Sequence, residues 1–103
     1  MAMQPGRVAL LPGIRRIIDA TAAERADWIR ANLRELMRRT DHDATAVRAL
    51  TGVSPGTVRN FLRGTDSSLG NVLRMGIALG VTVGDLERPP EEFAELLRSR
   101  GIG

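Results

Sequence analysis

The stretch TGVSPGTVRNFLRG, residues 51–64, decides how this chain is read. Gly52 can take the left-handed conformation that closes a helix ending near Leu50. Two residues later Ser54 offers a side-chain oxygen to cap a new helix, and Pro55 stands at its first position, where a missing amide costs nothing. Val58, Phe61 and Leu62 then share one face of that helix, and positions 55, 56, 59, 60 and 63 lie away from it. A short helix, a tight turn and an immediate second helix must cross at a large angle over Val53, Val58 and Phe61, which is a helix-turn-helix.

Upstream, TDHD at 40–43 is polar and ends in Asp43, suited to capping a helix over 44–50 whose Val47 and Leu50 face inward. Before it, Thr21 to Glu24 has the spacing of a capping box and predicts the start of a long helix reaching about Arg39. Ile29, Leu33, Leu36 and Met37 give that helix its apolar stripe, with Arg30, Arg34 and Arg38 on another face. Residues 1–20 read as an N-terminal arm holding a short strand or a helical turn, with apolar residues scattered from Val8 to Ile18.

Downstream, Gly64 ends the third helix and TDSS leads into a fourth, capped by Ser67 or Ser68, with Leu69, Val72, Leu73 and Ile77 on one face. TVGDL, residues 82–86, predicts a short fifth turn capped by Thr82 that tucks Leu86 under the core. Pro89 and Pro90 break the chain, and a last helix carries Phe93, Leu96 and Leu97 on one face, with acids first and arginines last as the helix dipole favours. The expected fold class is all-α.

At 103 residues the chain supports one small core. It has no cysteine, which excludes disulfides and thiolate metal sites, and no run near the roughly 20 apolar residues of a membrane span. A cytoplasmic protein is expected, with no membrane partner. All fifteen basic residues are arginine. Up to Thr65 there are eleven arginines against six acids, a net of about +5; beyond it four stand against six, about −2. The basic part suits phosphate, and three aromatics, Trp28, Phe61 and Phe93, are too few for the stacking platforms of single-strand binders. Duplex DNA is the expected partner.

With these residues in view, the chain resembles the Cro and phage-repressor type of helix-turn-helix family over roughly residues 28–87. The resemblance rests on Val47, the Gly52-Val53-Ser54 turn, Val58, Phe61, the Arg63-Gly64 ending and the closing segment ALGVTVGDL. It implies a five-helix lambda-repressor-like domain over 21–88, between the arm at 1–20 and a C-terminal helix at 89–103. The third helix would enter the major groove, usually in a homodimer on an inverted repeat. Ala44 stands where the family often has a phosphate-bonding glutamine, Arg48 where it prefers a small residue, and GTDSS where relatives are often basic.

On the third helix, Arg59 can reach guanine O6 and N7 and Asn60 can pair with adenine, while Pro55 and Gly56 allow close approach to base edges. Ser54, Thr57 and Arg63 are the candidate phosphate contacts, joined by Arg48, Arg39 and Arg38. Arg48 must snorkel outward along its stem. One recognition helix reads few base pairs, so a second copy is expected, through Leu10, Leu11, Ile14 and Ile17 of the arm or Phe93, Leu96 and Leu97 of the last helix. His42 has no second ligand, and Glu91 and Glu92 read as helix N-terminal charges. No catalytic residue, metal or cofactor is therefore expected. The leading reading is a phage or prokaryotic transcriptional regulator, repressor-like and nucleoid-associated through DNA. The alternative is an antitoxin-like regulator whose arm or tail binds a partner protein.

Overall fold

The structure, a computed structural model, describes residues 12–103, so Leu10 and Leu11 lie outside it. Among the described residues every regular element is a helix: α1 (Pro12–Arg39), α2 (Ala44–Thr51), α3 (Pro55–Leu62), α4 (Leu69–Ala78), α5 (Val83–Leu86) and α6 (Pro90–Ser99). Helices α2 to α5 each begin at a cap of the expected kind. The Asp43 carboxylate accepts from the Ala46 amide at 2.8 Å, Ser54 from Thr57 at 3.2 Å and Ser68 from Asn71 at 3.1 Å. Thr82 and Asp85 form a reciprocal capping box at α5. Gly52, at φ +76°, ends α2 by donating its amide to the Arg48 carbonyl at 2.8 Å.

One expected boundary moves. Thr21 and Glu24 lie inside α1, exposed, and the helix runs without interruption from Pro12. The capping box is not used. Proline is welcome in a helix's first turn, and the alanine- and arginine-rich stretch from Ala20 to Ala31 contains no glycine or proline to stop a helix already under way. The 28 residues of α1 span about 42 Å at the usual rise.

The core is built from Leu33 and Leu36 of α1, Val47 of α2, Val58 of α3, Met75 of α4, Leu86 of α5 and Phe93 and Leu97 of α6, all fully buried. Two expected inward faces turn out differently. Leu50 is 55% exposed, and α4 buries Val72, Met75 and Gly76, followed by Leu79 at its C-cap, while Leu69, Leu73 and Ile77 stay outside. Apolar residues surround most of α4, so either stripe satisfied its periodicity. Gly76 selects between them: a Cβ there would stand 3.1 Å from the Val81 carbonyl oxygen, so only this side of α4 admits the returning chain so closely.

The last helix also corrects an expectation. Phe93 and Leu97, offered above as dimer contacts, are at the centre of the chain's own core, and half-buried Leu96 packs against it with Ile102. Neither Phe93 nor Leu97 is available to a partner. Buried Asn32 fastens this end of the molecule, donating from Nδ2 to the carbonyls of Leu86 at 2.9 Å and Arg88 at 2.7 Å. It sits on α1 beside Leu33, and its sequence position gave no sign of partners 54 and 56 residues away.

Candidate nucleic-acid interface

Helix α3 is held on its inner side by Val58 and Phe61, both buried. That orientation leaves Gly56, Arg59, Asn60 and Arg63 exposed, with Pro55 and Thr57 half-buried at the leading end. Arg59 and Arg63 are one turn apart, and Asn60 lies beside them, so planar fork, amide and fork share one solvent-facing edge. The hydroxyls of Ser54 and Thr57 lie 2.8 Å apart and are tied into the helix cap. Each keeps acceptor capacity, and one proton between them can be redirected to an outside oxygen.

The trailing end of α3 is anchored by Arg30 and Arg34, which the helical spacing sets on another face of α1 than its apolar stripe. Arg30 turns inward, its side chain only 11% exposed. Its Nε donates to the Phe61 carbonyl at 2.8 Å, and one terminal nitrogen donates to the Gly64 carbonyl and to Asp66 Oδ1, both at 3.1 Å. Asp27 stands 3.6 Å away, and the guanidinium carbon lies 5.1 Å from the centroid of the Phe61 ring. One turn on, Arg34 donates to the Leu62 carbonyl at 2.6 Å. Cations suit a helix C-terminus because its unpaired carbonyls carry partial negative charge. The available signal was that Arg30 borders Ile29 and Leu33, at the edge of the apolar stripe. Asp66, the acid of the GTDSS loop, faces Arg30.

The other candidate phosphate contacts differ among themselves. Arg48 is exposed on α2, as snorkelling requires. Arg38 and Arg39 both bind Glu35, at 2.6 and 2.7 Å, and Arg39 also reaches the Ile102 carbonyl at 3.3 Å. With its side chain 13% exposed, Arg39 is occupied in joining α1 to the C-terminal segment and leaves the interface set.

The two arginines, Arg38 foremost, pull the Glu35 carboxyl down from 4.5 to about 2 through their hydrogen bonds. A depressed carboxyl pKa stabilises the fold above its ordinary value and loses that contribution as pH falls toward the folded value. Glu35→Gln should therefore flatten the acid limb of stability between pH 4.5 and about 2. At neutral pH it should lower stability by less than about 1 kcal/mol, since the pair is partly solvated. Urea unfolding at a series of pH values checks this; parallel acid limbs in both proteins would contradict it.

Of the remaining dimer candidates, Ile14 is half-buried and Ile17 is 67% exposed, both on α1 itself. His42 Nδ1 lies 2.9 Å from the Thr40 hydroxyl. Among the described residues no group of three His, Asp or Glu side chains converges as a metal site, and no helix is long and apolar enough to cross a membrane. Comparison with protein-family models, curated proteins and solved structures finds no match to this chain.

Proposed function

We propose that the protein is a sequence-specific duplex-DNA-binding regulator, in which α1 to α5 form a lambda-repressor-like helix-turn-helix domain and α3 enters the major groove. The observation that carries this reading is the state of α3: capped at Ser54, buried along Val58 and Phe61, clamped at its far end, and bare along Arg59, Asn60 and Arg63. A helix fixed on every side but one presents its side chains at little entropic cost on binding. Arg59 reads guanine through its fork and Asn60 reads adenine, with Gly56 close to the bases and Ser54, Thr57, Arg48 and Arg63 on phosphates. A homodimer places two such helices about 34 Å apart on an inverted repeat. Its contact draws on the exposed isoleucine surface of α1, since Phe93 and Leu97 are already buried.

Selection from a random duplex library, followed by affinity measurement on the enriched site, tests this. Arg59→Ala is expected to weaken the enriched duplex by about 1–3 kcal/mol, roughly 5- to 150-fold, and to relax base preference at one position of each half-site. Failure of the wild-type protein to enrich any duplex, or an Arg59→Ala variant with unchanged affinity and preference, would overturn the reading. An exposed apolar surface at Leu50, Leu73 and Ile77 favours the second reading, a regulator that also grips a partner protein. That reading predicts capture of a specific protein from the native host that is lost on Ile77→Glu.

A further inference from the structure

A helix normally ends in unpaired carbonyls and partial negative charge, so its C-terminus is a poor neighbour for phosphate. At α3 this polarity is reversed. Arg30 covers the Gly64 carbonyl and adds a second donor to that of Phe61, which also accepts from the Gly64 amide, and Arg34 covers that of Leu62, so guanidinium groups stand at the oxygens that end the helix. In front of them is an open notch of about 270 Å³ lined by Arg30, Arg34, Arg63, Leu62, Gly64 and Asp27.

The three arginines are not equivalent. Arg30 is matched by Asp27 and Asp66. Among the described residues neither Arg34 nor Arg63 has a carboxylate within 4.0 Å, so their charge is not offset at close range. Arg34 is nevertheless held in place, because one of its five N–H groups is fixed on the Leu62 carbonyl and the others are left to donate. Arg63 belongs both to the notch and to the exposed edge of α3, which makes the notch continuous with the surface assigned to base reading.

We infer that this notch binds a backbone phosphate of duplex DNA, with Arg34 and Arg63 donating to its oxygens and Arg30 acting as a positioning residue beneath them. The inference rests on the DNA-binding reading and adds to it a residue, Arg34, that no pattern in the sequence marked for contact. The chemistry it recognises is a phosphate group, whether within a nucleic-acid backbone or in a small molecule, and the two arms of the test separate these sources.

The first arm measures duplex affinity of the full chain at a series of salt concentrations. Arg34→Gln keeps an amide that can donate to the Leu62 carbonyl but removes the charge. It should make the slope of log affinity against log salt shallower by about 0.9 per protomer and weaken enriched and random duplexes by the same factor; Arg34→Lys should retain most of the slope. The second arm titrates inorganic phosphate and follows the Arg63 and Gly64 amide resonances, expected to shift in wild type and to stay still in Arg34→Gln. Thermal unfolding of each variant confirms that the fold is retained.

Duplex binding with an unchanged slope in Arg34→Gln overturns the inference. So does a chain that binds no duplex and shows no phosphate-induced shift. Phosphate-induced shifts at Arg63 and Gly64 without any duplex binding would uphold the notch as a phosphate site while removing DNA as its source.

Discussion

Phe93→Ala is expected to destabilise the protein by about 3–5 kcal/mol, the ordinary cost of emptying a phenylalanine site in a packed core. Total stability for a domain of this size is about 5–15 kcal/mol, so much of it would be lost. Phe93 is fully buried, on a helix that joins α1 in the same core as Leu33 and Leu36. The midpoint of thermal unfolding, followed by circular dichroism, should fall by at least about 12 °C. Leu97→Ala should do nearly as much. A Phe93→Ala protein melting within a few degrees of wild type would mean that α6 is not part of the core in solution. Its apolar face would then again be open to a second copy.

The second large effect is expected at Arg30. A buried ion pair can often be replaced by apolar residues without loss, because desolvation cancels the attraction. Arg30 differs in that its closest partners are backbone carbonyls, which no substitution removes. In Arg30→Met the side chain can still cover the Phe61 ring, but the Gly64 carbonyl loses its donor and that of Phe61 keeps only the Gly64 amide at 3.1 Å. A hydrogen bond from a charged group is worth about 1.5–3 kcal/mol, and with Gly64 open to water the loss is mainly that of the bond to Phe61, so the total should be about 2–3 kcal/mol. The loss should be local first. Hydrogen exchange at the Arg63, Gly64 and Thr65 amides, which close the last turn of α3, should accelerate more than at α2 or α5. Arg30→Lys, able to meet one carbonyl at a time, should recover part of the stability. If Arg30→Met kept wild-type stability and exchange, the clamp would be irrelevant to the fold, and the positioning role assigned to it beneath the notch would fail as well.

The contrast between these two residues shows what kind of information each required. Phe93 was recognised as apolar and in register with Leu97, yet its partner could be this chain or another. Periodicity states which face is buried and is silent about what buries it. Arg30 lay on the border of the apolar stripe, and a charged residue at that border is ordinarily solvated. It is buried here because the end of α3, more than thirty residues further along, supplies the acceptors. Leu50 and the outer stripe of α4 failed in the opposite direction. They had the hydrophobicity for a core position; on α4 the close approach at Gly76 turned the other stripe inward, and at Leu50 no element of the chain packs over the side chain enough to bury it. The candidate reading edge was legible because Val58 and Phe61 define the buried side of α3, and Arg59, Asn60 and Arg63 follow by helical geometry. Arg39 was not, because its engagement with Ile102 depends on where the C-terminus returns.

The sequence by itself determined the local devices: the caps at Asp43, Ser54 and Thr82, a cap at one of the two serines before α4, the left-handed turn at Gly52, and the division of α3 into a buried and a bare side. Each depends on groups within four residues of one another, so the chain needs no distant partner to specify it. Even the start of α1 was such a local contest, between a capping box and continued helix, and helix propensity prevailed. The tertiary structure decided which apolar stripe of α4 turned inward, that α6 completes the core, and that Arg30 and Arg34 close the end of α3. Those outcomes depend on burial and on carbonyls brought together from across the chain. The free energy of a side chain in such a place is set by neighbours that exist only after the helices have packed.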